Sequence, residues 1–345
     1  MTPEYFPCYA ADHPMAHRLI GIRRLFAVLF FLTVIVTEAS ASLLTDSIVG
    51  QISQTEYTSY VTRLQNYPTR YYNTAGNASA LGYIRDEFLG YGLSVAYDPF
   101  TYGGTTYNNV VATLPGKTNP QNVYIVGAHM DSTSNLAATN APGADDNASG
   151  MAAVLEMAKV LSGYLFDSTI KFIGFNVEEQ GLIGSKAYVD DAKASGERVL
   201  GMLNFDMIAY SGGSNSVYLA GNTGLVDALF GNAGKYTGLT PSKSYTNQYG
   251  SDHYYFHSSL FPGSTSAFAI EALPVNNSNY HKTTDTTSYL DFAYASDITR
   301  MGVATIADLA GVTAAVPEPS TYILALVAGM TVWGAVVIRR KSRLA

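Results

Sequence analysis

Val123-Tyr124-Ile125-Val126-Gly127-Ala128-His129-Met130-Asp131 is a short apolar run that stops on polar residues. Its first six residues do not alternate strictly, which is the pattern of a strand buried on both faces. Two further runs share it, 170–177 and 199–205, and both stop on acids, Glu178-Glu179 and Asp206. Helical stretches at 148–164 and 182–194 separate the three. Strands that alternate with helices predict an α/β domain whose central sheet is mainly parallel. Upstream, the pattern predicts helices over 48–65 and 78–93. Extended runs at 93–102 and 108–114 follow, joined through the turn signal Tyr102-Gly103-Gly104. After Asp206 the chain reads as loop-rich, with Ser211-Gly212-Gly213-Ser214-Asn215 as an excursion and 265–270 as the last core strand. No internal repeat is visible.

Open α/β sheets place their sites at the carboxyl ends of strands, and that is where His129, Glu178, Glu179 and Asp206 fall. Asp146, in Pro142-Gly143-Ala144-Asp145-Asp146-Asn147, precedes a helix start, where free amide groups favour a carboxylate. His281 follows Tyr280 in Tyr280-His281-Lys282-Thr283-Thr284-Asp285. Singly these motifs are bland: an Asp-Asp-Asn run is a helix cap, a Glu-Glu pair a solvated face. Together they are a set of imidazoles and carboxylates suited to Zn²⁺, in which one carboxylate can bridge two ions. That chemistry is hydrolysis by a metal-activated water. Rival hydrolase signatures are missing: there is no His-Glu-x-x-His helix, no Gly-x-Ser-x-Gly elbow and no Gly-x-x-x-x-Gly-Lys-Ser/Thr loop.

The two ends read differently from the body. Arg18, Arg23 and Arg24 precede an apolar run at 25–36 and the small-residue site Ala39-Ser40-Ala41, the grammar of a secretory signal peptide over 1–41. At the other end, Val316-Pro317-Glu318-Pro319-Ser320 leads into an apolar stretch at 321–338 and then Arg339-Arg340-Lys341 and Arg343. Eighteen helical residues would reach about 27 Å, enough for a bilayer core, with the basic cluster held in the cytoplasm. Of 20 basic and 27 acidic residues, seven and four lie in these ends, leaving 13 and 23 in the body, a net of −10. Such a body is a poor partner for nucleic acid. The single cysteine, Cys8, lies in the leader, so no disulfide is expected in the body, 42–315.

The tail, 316–345, resembles the PEP-CTERM sorting signal of Gram-negative bacteria. That resemblance implies processing at Pro317-Glu318-Pro319 by an exosortase-type enzyme, after transient inner-membrane anchoring, and a final place at the cell surface or outside the cell. The body, over 57–310, resembles the secreted bacterial dizinc aminopeptidases and their wider family, which includes glutamate carboxypeptidase and the glutaminyl cyclases. The resemblance implies a three-layer zinc-exopeptidase fold and two Zn²⁺. It also implies Asp146 as the bridge, His129 with Asp206 on one ion, and Glu179 with His281 on the other. Glu178 would be the general base, and Tyr280 would stabilise the oxyanion, with Tyr249 as the competing phenol. Asp145 competes with Asp146 for the bridge. Asp131 would fix the His129 tautomer through its carboxylate. The expected substrates are peptides with a free N-terminus. Carboxypeptidase, glutaminyl cyclase and non-catalytic binding roles remain open on the same frame.

Overall fold

The computed structural model of the chain describes residues 41–272 and 276–316. Nearly all of the expected leader and the tail beyond Val316, including the stretch 321–338, lie outside the described residues. Among those residues no helix is long and apolar enough to cross a membrane. The compact unit that carries the site begins at Leu44.

Its strands are β1 (Ser94–Tyr102), β2 (Thr105–Leu114), β3 (Asn119–His129), β4 (Tyr164–Phe166), β5 (Ser168–Phe175), β6 (Arg198–Phe205), β7 (Ser216–Gly221), β8 (Thr240–Ser244), β9 (Ser266–Glu271) and β10 (Val312–Ala315). Eight of them form one sheet in the order β1-β2-β5-β3-β6-β9-β7-β8, while β4 and β10 pair apart. Four of its seven pairings are parallel, including the central run β5-β3-β6-β9, so the sheet is mixed but mainly parallel as expected.

Period-two alternation sends successive side chains to opposite faces, and both faces are covered. Val126, Phe172 and Leu203 stand side by side in register on one face. They pack in a core with helices α1 (Gln54–Gln65), α2 (Ala75–Gly90), α3 (Gly150–Leu161), α5 (Thr223–Tyr236) and α6 (Phe292–Ala310). Ile125, Ile173 and Met202 point the other way, against Tyr188, Val189 and Ala192 of α4 (Ile183–Ser195) and against Phe256. The result is helix–sheet–helix, three layers.

Three local readings need correction. The helix expected over 48–65 is interrupted before Gln54, because Ser53 caps α1 by accepting from the Glu56 amide at 3.3 Å. The Ser53 amide in turn donates to Glu156 Oε1 at 2.7 Å. The helix expected from 148 starts at Gly150, since the backbone at Asp146 and Asn147 is not helical. The stretch after Asp206 holds β7, β8, α5 and α6, which was not expected. Gly224, Gly231 and Gly234 weaken the helical signal of α5, and burial of Leu225, Val226 and Leu229 stabilises it instead.

Candidate metal centre and active site

The parallel strands β3, β5, β6 and β9 end on one edge, and the candidate residues collect there. His129 is the last residue of β3 and is buried. Its Nε2 lies 3.2 Å from Asp146 Oδ1 and 3.4 Å from Asp206 Oδ1. The other Asp146 oxygen, Oδ2, is 3.1 Å from Nε2 of His281, which is also 3.1 Å from Glu179 Oε2. Two triads result, His129–Asp146–Asp206 and Asp146–Glu179–His281, each with its ligand atoms within 4.8 Å of one another. Asp146 belongs to both.

Asp145 does not compete. Its carboxylate turns away from the histidines and accepts from the Ala209 amide at 2.9 Å and Asn277 Nδ2 at 2.8 Å. The turn that aims Asp146 is held by Asp285, which accepts the Asp145 and Asp146 amides at 2.9 and 3.0 Å. Behind them stands Glu271, at the end of β9. Burial, with Asp145 next, pushes its carboxyl up to about 11. A Cβ at Gly150 would come within 2.1 Å of the Phe205 carbonyl, so only glycine lets this turn approach the end of β6. Of four non-glycine residues at positive φ among the described residues, Val177 (60°) adjoins Glu178, Met207 (52°) adjoins Asp206, and His281 (54°) is itself a candidate ligand. Such conformations cost about 1–3 kcal/mol and persist only where the surroundings hold them.

Asp131 acts differently from the expectation. Its carboxylate accepts the Glu178 and Glu179 amides at 3.1 and 3.3 Å and lies 3.8 Å from His129 Nδ1. The hydrogen-bond partner of that nitrogen is the Asp131 carbonyl oxygen, at 3.2 Å. One residue thus fixes both the imidazole and the glutamate turn. Ser251 donates to Asp206 Oδ2 at 2.6 Å and is itself held by Asn204.

Glu178 and Tyr280 face the same cavity of about 230 Å3, with Tyr249, Met207, Phe268 and Ile270 among its walls. Tyr280 stacks on His281, ring centroids 3.8 Å apart. Burial lifts the Glu178 carboxyl well above the usual range; His129 pulls it down, Asp252 and Asp206 push it up. Burial, then Asp146, pushes Glu179 up to about 7. Burial opposes protonation of His281, but its bonds to Asp146 and Glu179 outweigh this and carry it to about 10.

Glu179 Oε1 and Asp206 Oδ1 are buried and have no hydrogen-bond partner. Two imidazole nitrogens and three carboxylates, two of them with an unsatisfied oxygen, are a donor set that fits zinc. His129, Asp146 and Asp206 would hold one ion, and Asp146, Glu179 and His281 another.

The sequence reading passed over Arg70. Its side chain is wholly buried and donates to the carbonyls of Met130 at 2.9 Å, Leu64 at 3.1 Å, Pro142 at 2.6 Å and Gly143 at 2.9 Å. It clamps the loop after His129 to the loop before Asp146. Arg70→Met is expected to destabilise the protein by about 3–5 kcal/mol, since it strands four buried carbonyls. Urea unfolding curves would measure the loss, and an unchanged midpoint would contradict it.

Sequence and structure comparisons give the family of the chain. The profile of peptidase family M28 matches residues 109–306, more than half of the chain, and the chain belongs to that family. It is an enzyme of the peptidase class. Leupeptin-inactivating enzyme 1 of Streptomyces exfoliatus is 36% identical over 146 residues, 41% of this chain and 32% of that protein, so the chain spans about a third of that relative. Leucine aminopeptidase 1 of Trichophyton rubrum is 28% identical over 295 residues, 77% of this chain and 76% of the relative. The fold matches the crystal structure of the LapA aminopeptidase of Legionella pneumophila with a TM-score of 0.69, at 21% identity, over 78% of this chain and 75% of the other. BSAP, a zinc aminopeptidase from Bacillus subtilis, matches with a TM-score of 0.52 at 28% identity, over 61% of this chain and 52% of the other.

Proposed function

We propose that the chain is an exported aminopeptidase that works with two zinc ions and releases residues from peptide N-termini. The observation that carries this reading is the sharing of Asp146, one oxygen toward each histidine. Zinc in the two triads would polarise the scissile carbonyl and acidify the attacking water. The chain's own groups do the rest. Glu178, fixed through its amide by Asp131 and raised by burial, takes the proton from the water and returns it to the departing amine. Tyr280, which lines the same cavity, would donate its hydroxyl proton in a hydrogen bond to the developing oxyanion. Tyr249 lines the same cavity but is 63% exposed against 43% for Tyr280, and it packs edge to face on Tyr254 rather than stacking on a candidate ligand, which favours Tyr280 for the role.

An aminopeptidase must receive a cationic amine, a carboxypeptidase an anionic carboxylate. The cavity is lined by Glu178, Glu179, Asp146 and Asp206 and by no Lys or Arg among the described residues, which supports the amine. Met207, Phe268 and Ile270 give it an apolar side suited to a leucyl-type side chain. Leucine p-nitroanilide is therefore expected to turn over at least about 100-fold faster than its N-acetylated form. Equal rates on the two, preference for a free C-terminus, or cyclisation of an N-terminal glutamine would each replace the aminopeptidase reading.

Export, transient anchoring through 321–338 and trimming by an exosortase-type enzyme at Pro317-Glu318-Pro319 belong to the same proposal and rest on the sequence of the two ends. Cell fractionation with mass spectrometry of the mature termini tests them; a cytoplasmic product with both ends intact would exclude export.

A further inference from the structure

A second groove, of about 440 Å3, runs between the start of α2 and the β1–β2 hairpin; Tyr72, Asn77, Tyr107 and Asn176 are among its walls. It adjoins the metal centre along the chain. Asn176 stands two residues before Glu178, a reach of at most about 7 Å along the chain. Asn176 and Asn77 exchange amide hydrogen bonds of 2.9 and 3.1 Å across the floor. Asn77 also donates to the Arg70 carbonyl at 2.9 Å, so the floor is tied to the clamp that holds the ligand loops. Tyr71 follows Arg70 directly, and its ring lies beside Gln180, the residue after Glu179.

From there a set of phenol rings leads outward. Tyr72 meets Tyr71 edge to face at 4.7 Å, Tyr107 at 5.5 Å and Tyr102 at 5.6 Å. The hydroxyls of Tyr72, Tyr102 and Tyr107 make no hydrogen bond among the described residues, although the three side chains are only partly exposed. Rigid, half-exposed tyrosines with free hydroxyls bind peptide at small cost in side-chain entropy, stacking on planar groups and bonding to amides. One wall of the groove, Asn176, leads within two positions into the Glu178–Gln180 turn. The apolar walls Met207, Phe268 and Ile270, by contrast, follow Asp206 or lie on β9.

We infer that the groove bounded by Tyr72 and Tyr107 is the subsite for the residues downstream of the scissile bond, and that it makes the enzyme favour extended peptides over isolated amino-acid amides. The inference rests on the aminopeptidase reading above and adds what lies beyond the first residue. A charged groove would select a charged second residue; this one has tyrosine and asparagine and selects by planarity, so aromatic residues at the second and third positions fit it best.

The test compares kcat/KM for a leucyl tetrapeptide with an aromatic third residue against that for leucinamide, as a ratio. In the unaltered enzyme the tetrapeptide is expected to be the better substrate by about tenfold or more. In Tyr72→Ala and in Tyr107→Ala the ratio should fall by about tenfold, and Tyr72→Phe should retain most of it. If Tyr72→Ala fails to fold, Tyr107→Ala on the hairpin decides alone. A ratio unchanged in Tyr107→Ala, or equal losses on both substrates, overturns the subsite. If the enzyme instead cleaves only N-blocked or C-terminal substrates, the aminopeptidase reading fails. The same variants then test the groove by the dependence of that cleavage on peptide length.

Discussion

Glu178→Gln is expected to lower kcat by about 1,000-fold while zinc content stays at the level of the unaltered protein. The side chain lines the cavity but belongs to neither triad of candidate ligands. Glutamine keeps its size and leaves the Glu178 backbone amide bonded to Asp131, so the turn should survive. What disappears is the basic oxygen that accepts a proton, and general-base loss of this kind costs about 10²–10⁴ in rate. KM should move little. Steady-state kinetics with metal analysis by inductively coupled plasma mass spectrometry separates the outcomes. Loss of zinc with the activity would place Glu178 among the ligands, and retention of activity would assign the base elsewhere.

Exhaustive chelation is expected to abolish turnover and to lower the melting temperature, by an amount that grows as the pH rises from about 5.5 to 8. The direction follows from the carboxyls around the centre. In the metal-free protein, burial first and Asp146 second raise Glu179 from 4.5 to about 7. Burial, with Asp145 next, raises Asp285 to about 8. A carboxyl whose folded value lies above its unfolded one contributes stability fully below the unfolded value, and loses it as the pH climbs through the folded one. The stripped protein should therefore weaken between about pH 5 and 8 as negative charges accumulate without a counter-charge. Zinc needs those same groups deprotonated, so its stabilisation increases across the same interval. Differential scanning fluorimetry with and without zinc at pH 5.5 and 8 reads the gap directly; a gap that narrows with rising pH would count against cation binding at this cluster.

How far the sequence carried this picture depended on whether a residue's task leaves a local pattern. The strands that end at His129, before Glu178 and before Asp206 were readable because a strand buried on both faces is a continuous apolar run. The choice between Asp145 and Asp146 was not, since adjacent aspartates look alike until the fold sets Ala209 and Asn277 against one and the two histidines against the other. Arg70 gave no signal at all: its partners are carbonyl oxygens, which every residue has, so nothing in the sequence marks them. Asp285 lay in plain view four residues after His281, yet its work is on amides 139 and 140 positions away. The Ser53 cap was readable, because Ser53-Gln54-Thr55-Glu56 is a helix-start pattern, and an unbroken helix was drawn through it.

The two histidines that share Asp146 enter the chain 152 positions apart, and the second arrives close to the end of the described body. A polypeptide cut short before His281 would carry only the first of the two triads, His129–Asp146–Asp206. If the proposed two-zinc reading holds, the order of synthesis is its own safety catch, because the second triad is completed only when almost the whole domain exists.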